Sequence, residues 1–269
     1  MRATWLTDIH LNFLRPLALR AFYDRIKAEQ PQVLLVTGDI GESDSVVRFV
    51  SELGELAPIY FVLGNHDYYR SSIAAVRGAM ERLDSETATW LPAHAPMRIS
   101  QHTVMLGIDG WGDARCGDLE STVQLSDWKL IDDFKRATRN DRDDREVRAE
   151  ICKRLGGNEA RALRDKLAQV GDAKQLLILT HVPPFPEACV YGGEISTAPW
   201  LPWFTCISTG EVLRAHAEAH PETQMLVLCG HSHGAGGYRP VPNLEVRTGG
   251  WPAGVQDYGN PIIQQTIEV

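Results

Sequence analysis

Cysteine is scarce in this chain. Its five cysteines (Cys116, Cys152, Cys189, Cys206 and Cys229) are scattered over 269 residues, odd in number and never in Cys-x-x-Cys spacing. That excludes a disulfide framework or a zinc-knuckle scaffold and suits a reduced, cytoplasmic setting. Long apolar runs are also missing. No stretch is long enough to span a bilayer, and the run from Met1 to Leu6 is too short for a secretory leader and is closed by Asp8. Positive charge is not in excess: 27 Lys and Arg stand against 35 Asp and Glu, a net −8. A general nucleic-acid surface is therefore not expected. A small anionic substrate stays compatible, because bound metal would supply local positive charge. Internal repeats, low-complexity segments and linkers are absent. One soluble globular domain over 1–269 is the expectation.

What is present is a series of short apolar segments, each ending in polar residues. The central one runs from Pro58 to Leu63 into Gly64-Asn65-His66-Asp67. The β-formers Ile59, Tyr60, Phe61 and Val62 predict a strand. The three polar residues after Gly64 fall at its C-terminal edge, where α/β folds place their chemistry. Ala3–Leu6 predicts another strand, followed by Asp8-Ile9-His10. If that segment stays extended, Asp8 and His10 converge on one point while Ile9 turns into the core. Val33–Val36 is a continuous apolar strand ending in Gly38-Asp39. Helices are expected over Pro16–Glu29, Ser43–Leu56 and Ser71–Leu83, from their apolar faces and their first-turn Pro or Ser. The order strand–helix–strand–helix–strand predicts a parallel βαβαβ unit.

Further on, Thr89–Leu91, Met97–Ile99 and Thr103–Asp109 predict strands. Asp109 and Trp111 read as turn and packing residues, with a place bordering a site as the alternative. Residues 112–158 carry charges of alternating sign (Asp132, Asp133, Lys135, Arg136 and the run Asp141 to Arg148) and predict a charged, exposed helical insertion. Glu159–Val170 predicts a helix stopped by Gly171. Leu176–Thr180 predicts a strand ending in His181, held rigid by Pro183-Pro184. The aromatic and proline-rich loop 185–209 carries Trp200, Trp203 and Phe204. It reads as a lid or substrate wall, as a loop tucked on its own aromatics, or as an oligomer contact. Glu211–Ala219 predicts a helix, and Met225–Cys229 a strand ending in Gly230-His231-Ser232-His233. The glycines that follow (Gly234, Gly236, Gly237) read as a turn. Leu244–Thr248 and Pro261–Val269 predict closing strands.

Five of the nine histidines therefore follow strands: His10, His66, His181, His231 and His233. His94, His102, His216 and His220 lack such company and read as surface or packing residues. Mixed imidazole, carboxylate and amide donors at five strand ends suit two divalent ions. Mn, Fe, Zn or Co fit that mixture better than Mg.

In this order the motifs Asp8-Ile9-His10, Gly38-Asp39, Gly64-Asn65-His66-Asp67, His181 and Gly230-His231-Ser232-His233 resemble the calcineurin-like metallophosphoesterase superfamily. The resemblance implies a four-layer αββα sandwich, two mixed β-sheets flanked by helices, with a dinuclear metal centre at its edge. It implies that Asp8, His10, Asp39 and His233 bind one metal and that Asp39, Asn65, His181 and His231 bind the other. It assigns His66 to a hydrogen bond with a phosphate oxygen or to protonation of the leaving alkoxide, with Asp67 orienting it. Asn65, His66, Trp200 and Trp203 are the expected substrate contacts.

Departures from subfamily patterns narrow the class. Asp-x-His replaces the Asp-x-Gly of purple acid phosphatases, and Glu42 stands where they carry a Tyr. Gly41-Glu42-Ser43 and Asp67 do not match the protein Ser/Thr phosphatases. His66 does not match the lipid-A pathway hydrolases, which usually carry Arg there. The wording is most similar to the class III cyclic-nucleotide phosphodiesterase group. The expected activity is hydrolysis of a phosphodiester, a cyclic nucleotide among the candidates, by two-metal activation of a bridging water. A phosphomonoesterase or nuclease on the same fold is the alternative, and a non-catalytic scaffold the less favoured one. The expected partner is a small phosphoester, with no membrane and with oligomeric state open.

Overall fold

The computed structural model describes residues 2–137 and 144–268. Residues 141–143 of the charged run, and Val269 at the end of the last expected strand, lie outside the described residues. In chain order the strands of the first half are β1 (Arg2–Leu6), β2 (Val33–Thr37), β3 (Ile59–Val62), β4 (Ala88–Trp90), β5 (Met97–Arg98) and β6 (Thr103–Gly107). Those of the second half are β7 (Gln175–Leu179), β8 (Val190–Tyr191), β9 (Glu194–Ile195), β10 (Gln224–Cys229), β11 (Gly236–Val241), β12 (Leu244–Thr248) and β13 (Ile263–Glu268). One sheet has the order β13-β1-β2-β3-β4 and the other β11-β12-β10-β7-β6-β5, while β8 and β9 form a separate hairpin. β1 to β4 pair in parallel, with β13 antiparallel on β1. β6, β7, β10 and β12 pair in parallel, edged by antiparallel β5 and β11.

The period-2 alternation of these strands builds the layers. In β2, Leu34 and Val36 pack in the outer core with Phe22 and Ile26, while Val33 and Leu35 pack in a second core between the sheets. β7 divides likewise: Leu176 and Ile178 join the core under the second helical layer, and Leu177 and Leu179 join Val33, Leu35 and Leu228 between the sheets. Two mixed sheets thus pack face to face with helices outside each, as the αββα expectation requires. Strands buried on both faces explain why these segments read as uninterrupted apolar runs.

The outer helices form for local reasons. α1 (Pro16–Ala28) starts with Pro at N1 and buries Phe22 and Ile26 one turn apart. α2 (Val46–Gly54) is shorter than the expected Ser43–Leu56, and its buried stripe is Val46, Phe49, Val50 and Leu53. Phe49, one turn after Val46, faces inward, while Val47 stays exposed. α3 (Ile73–Leu83) is capped by Ser72, whose Oγ accepts from the Ala75 N–H.

Residues 112–158 are not simply an exposed helix. They contain α4 (Asp127–Leu130), α5 (Asp132–Ala137) and the first half of α6 (Asp144–Leu167). Trp128, Ile131, Phe134, Ile151 and Leu155 are buried in the core of the first sheet. Charge alternation hid this inward face. The pair Gly156-Gly157 also made one long helix read as two segments, because glycine weakens a helix interior. Gly156 is a contact point: a Cβ there would lie 2.6 Å from the Asp113 Cβ. α7 (Leu201–Phe204) and α8 (Ile207–Ala219) follow the hairpin, so the last helix begins four residues before Glu211. The Gly-rich run after His233 is not a turn. Gly236 opens edge strand β11, where a larger side chain would meet Val190.

Asp109 and Trp111 are packing residues. Asp109 is fully buried and accepts from the Leu63 N–H, Trp90 Nε1, Tyr68 Oη and Arg77 Nη2 at 2.7–3.0 Å. Arg77 also reaches Glu159 at 2.6 Å, so the hub joins both sheets to α6. Asp109→Ala would strand several buried donors. Urea unfolding should show a loss of about 3–5 kcal/mol, whereas Asp172→Ala, at an exposed ion pair with Arg98, should leave the unfolding midpoint nearly unchanged.

Candidate metal centre

The polar strand ends meet at the edge where the two sheets face each other. Asp8 follows β1 and is 1% exposed. Its carboxylate accepts from Thr7 Oγ1 at 2.8 Å and, through both oxygens, from the His231 N–H at 3.1 Å. It therefore pins the end of β1 to the end of β10. Asp39, equally buried, follows β2, and its Oδ1 accepts from the His66 N–H at 2.9 Å. His181, after β7, bonds through Nδ1 to the Thr37 carbonyl at 2.7 Å and so ties the second sheet to the first.

The convergence of Asp8 and His10 does not come from an extended segment. β1 stops at Leu6, and both residues have left-handed backbones, with φ of 51° and 40°. Among the described residues, eight non-glycine residues have positive φ, and Asp8, His10, Asp39, His231 and His233 are five of them. Each such residue costs about 1–2 kcal/mol, although Asp and His tolerate the region better than most side chains. The turns bend each strand end back so that its side chains reach one point. Gly64 is needed for the same closure, because a Cβ there would lie 2.1 Å from Asp39 Oδ1. Gly230 is too, its Cβ falling 2.0 Å from Thr7 Oγ1 and 2.2 Å from Asp8 Oδ2.

The result is one four-group cluster: donor atoms of Asp8, His10, Asp39 and His233 all lie within 4.8 Å of one another. Beside it, His181 Nε2 stands 3.4 Å from Asp39 Oδ1 and 3.2 Å from Asn65 Oδ1. The His231 ring lies 4.9 Å from that of His181. Asp39 thus stands between two groups of donors. The cluster fits a cation on its own evidence. Both ring nitrogens of His10 and Asp39 Oδ2 are buried without a hydrogen-bond partner. Such orphans are costly unless something coordinates them.

Electrostatics agree. Burial, then the like charges of His66 and His233, push His10 well below the ordinary imidazole range. Burial, then His233 and His181, takes His66 down to about 3. Burial also lowers His181 and His231. Neutral imidazoles keep the lone pairs a metal needs. Burial, then the charges of Asp8 and Asp67, raises Asp39 well above the carboxylate range. A divalent cation would reverse that shift. Burial works against the Asp8 carboxylate as well, yet its hydrogen bond to His233 and the charge of that imidazole hold it low.

The orienting contacts come from places the motifs do not mark. Asn65 Nδ2 donates to Asp127 Oδ1 at 2.8 Å, and Tyr69 Oη donates to the same oxygen at 2.7 Å. The amide is thereby turned so that its oxygen faces His181. Asp127 opens α4, inside the charged stretch, with no strand before it to signal a site. His181 Nδ1 against a carbonyl leaves Nε2 as the free donor. His231 Nε2 faces the Trp203 carbonyl at 3.4 Å, which leaves its Nδ1. His233 Nδ1 contacts Gln256 Nε2 at 2.9 Å and Tyr258 Oη at 3.2 Å, both from the loop between β12 and β13. Tyr258 also packs edge-on against His10. The nearest sequence signal for these two was only their place between expected strands.

Two expected roles change. Asp67 does not orient the His66 ring. It is fully buried and accepts from the Ile40, Gly41 and Gly64 N–H groups at 2.8–2.9 Å, clamping the turns after β2 and β3 together. Burial raises its carboxyl to about 7 despite those bonds. The His66 ring instead stacks on Tyr69, with centroids 4.3 Å apart. Trp203 is 5% exposed and packs edge-on against Trp128, so its indole is not a wall of the open cleft. Trp200 is 42% exposed and does line that cleft, together with Phe204.

Gly230→Ala should displace Asp8 and lower bound metal at least about tenfold by elemental analysis, as loss of a ligand-positioning contact does. Adding Mn²⁺ to metal-stripped protein should raise the melting temperature, by about 2.7 kcal/mol of stabilisation at 100 Kd. Asp39→Ala should abolish that rise.

The family model for calcineurin-like phosphoesterases (Metallophos) matches residues 1–235. No curated protein sequence matches the chain. Among solved structures, a dimetal phosphatase from Danio rerio superposes with a TM-score of 0.56 at 14% identity, covering 92% of this chain and 86% of that one. The protein TT1561 of Thermus thermophilus gives 0.56 at 12% identity, covering 96% and 90%. At such identities these structures share the fold. Among the described residues no helix is long and apolar enough to cross a membrane. Match, fold and converging donor cluster lead to one conclusion: the chain belongs to the calcineurin-like phosphoesterase family.

Proposed function

We propose that this protein hydrolyses a small phosphodiester with two divalent cations. Asp8, His10, Asp39 and His233 would hold one, and Asp39, Asn65, His181 and His231 the other. Bound there, the pair supplies Lewis acidity, a nucleophilic water at neutral pH and compensation of developing charge. The mixed imidazole and oxygen donors favour Mn, Fe, Zn or Co over Mg.

Charge carries the diester reading. A pocket of about 180 Å³ opens over the centre, walled by Asp39, Asn65, His66, Gln124, Ser126 and Asp127 among others, with no Lys or Arg among the described residues that line it. The adjoining cleft of about 500 Å³ has none either among its described lining residues. A phosphomonoester dianion would have only the metals to meet its second charge, whereas a diester carries one. A cyclic nucleotide fits this description and agrees with the motif wording. The net charge of −8 and the lack of Lys or Arg among the described residues of the cleft weigh against a nuclease.

His66 has a side chain 20% exposed and its Nε2 4.0 Å from Asp39 Oδ2. Its low basicity favours an N–H donated to a phosphoryl oxygen over transfer of a full proton. Asn65, held by Asp127, would present its oxygen to the centre. Loop 185–209 contributes a wall of the cleft through Trp200 and Phe204, and α4 to α6 contribute Asp127. We treat both as parts of one domain. Five unpaired cysteines, four of them buried, suit a reducing, cytoplasmic setting.

The Mn²⁺-loaded protein should cleave bis-p-nitrophenyl phosphate faster than p-nitrophenyl phosphate. Faster monoester cleavage would move the assignment to a phosphatase, and no cleavage of either with two metals bound would mean a narrow natural substrate or a non-catalytic scaffold. His66→Ala should cut turnover by about 10²–10³-fold, as loss of one donor to developing charge does, while elemental analysis still finds the wild-type metal content.

A further inference from the structure

The two cavities at the centre differ in kind, and their difference bears on the substrate. The small one is polar. The larger one, about 500 Å³, sets the apolar side chains of Tyr191, Ile195, Trp200 and Phe204 among smaller polar ones, and the two share Phe204 and His233. A molecule whose phosphoryl group sits over the cations therefore has one continuous way to extend, into the larger cleft.

That cleft exposes what a folded chain normally covers. Tyr191 is 58% exposed, Ile195 52% and Trp200 42%, three of the eight large apolar side chains left exposed among the described residues. All three line this one cavity. Clustered apolar exposure of this kind marks a binding surface. Its rings are also anchored to the centre. Trp200 stands edge-on to Phe204 at 5.6 Å and 80°, and Phe204 stacks on His231 at 4.2 Å and 24°. On the opposite wall, Tyr191 Oη donates to Gln256 Oε1 at 3.3 Å, and Gln256 reaches His233. Both walls thus stand on residues proposed to hold the cations. Among the described residues lining the cleft, Glu194 supplies the one carboxylate, and no Lys or Arg answers it.

We propose that this cleft binds a planar, uncharged aromatic substituent of the ester, an aryl group or a nucleobase, stacked against Trp200 and flanked by Tyr191 and Phe204. Flatness follows from the rings, since stacking rewards a π-face and not mere bulk. The absence of negative charge follows from Glu194. Further phosphates would meet the Glu194 carboxylate and, among the described lining residues, no Lys or Arg. The proposal rests on the phosphodiesterase reading only for how the phosphoryl group is held; the cleft's preference stands on its own residues.

Calorimetric titration of the Mn²⁺-loaded protein tests it without requiring turnover. The probes are methyl phenyl phosphate, methyl cyclohexyl phosphate and methyl 4-carboxyphenyl phosphate. The phenyl ester should bind at least about tenfold more tightly than the cyclohexyl ester, the order one stacking contact gives. The carboxyphenyl ester should bind more weakly than the phenyl ester, and Glu194→Gln should recover part of that loss. Trp200→Ala and the bulk-preserving Trp200→Leu should both erase the planar preference. Equal binding of phenyl and cyclohexyl esters overturns the proposal, as does a phenyl preference that survives both Trp200 variants. So does a stable dimer that sediments as one in the wild type and as a monomer in Trp200→Ala, since a second copy would then cover this face. A planar preference in protein that cleaves no ester would keep the cleft assignment and sink the hydrolase reading. Cleavage without the preference would do the reverse.

Discussion

Two buried carboxylates hold the centre of this molecule together. Asp8 receives hydrogen bonds from its neighbour Thr7 and from His231 after β10, and Asp39 receives one from the turn after β3. Asp8 thereby joins the ends of strands from different sheets, and Asp39 fastens the turns after the paired strands β2 and β3. Carboxylates removed from water in this way are unfavourable unless something positive compensates them. The imidazoles around them are driven toward neutrality by the same burial. A site with two buried acids and several neutral imidazoles leaves donor atoms unpaired that divalent cations could satisfy.

The fold's part is to bring strand ends to one edge without bringing in side-chain bulk. Parallel strands in both sheets put their C-terminal ends on the same side, and two sheets face to face bring those ends within a few ångströms. The remaining distance is closed by backbone. Left-handed residues at Asp8, His10, Asp39, His231 and His233 turn the chain sharply after each strand. Such turns are individually costly, and the clamp of Asp67 across the turns after β2 and β3 helps hold them. The packing hub at Asp109 lies directly behind this edge, so the rigid part of the molecule and the reactive part share strands β3 and β6. This arrangement holds donor atoms in place before any ion arrives, which lowers the reorganisation cost of binding.

The layer around the donors comes from segments without motif character. Asp127 turns Asn65, the Trp203 carbonyl faces His231, and Gln256 with Tyr258 meets His233. These contacts select which nitrogen or oxygen of each side chain is free. The same segments wall the two cavities, so the residues that orient the donors also shape what can reach them.

The amino-acid sequence by itself determined the strand runs, the order of the motifs and the chemical types gathered at the strand ends. Gly38-Asp39, Asn65-His66 and His231-Ser232-His233 are legible because each directly follows an apolar run, and local patterning survives in any fold that buries those runs. It also carried the layering, since Val33–Val36 and Leu176–Leu179 are apolar at every position and require cover on both faces. The parts that were not legible are those whose meaning lies in distant contacts. Asp67 reads as a partner for its neighbour His66 and is instead a clamp on Ile40 and Gly41. Trp203 reads like Trp200, yet one is buried and the other open. Asp127 lies in a charged run that resembles a solvated helix, and Gly236 in a run that resembles a turn. Only the tertiary structure decided these, because which atoms a polar side chain faces is set by packing between segments far apart in the chain, and no local pattern records it.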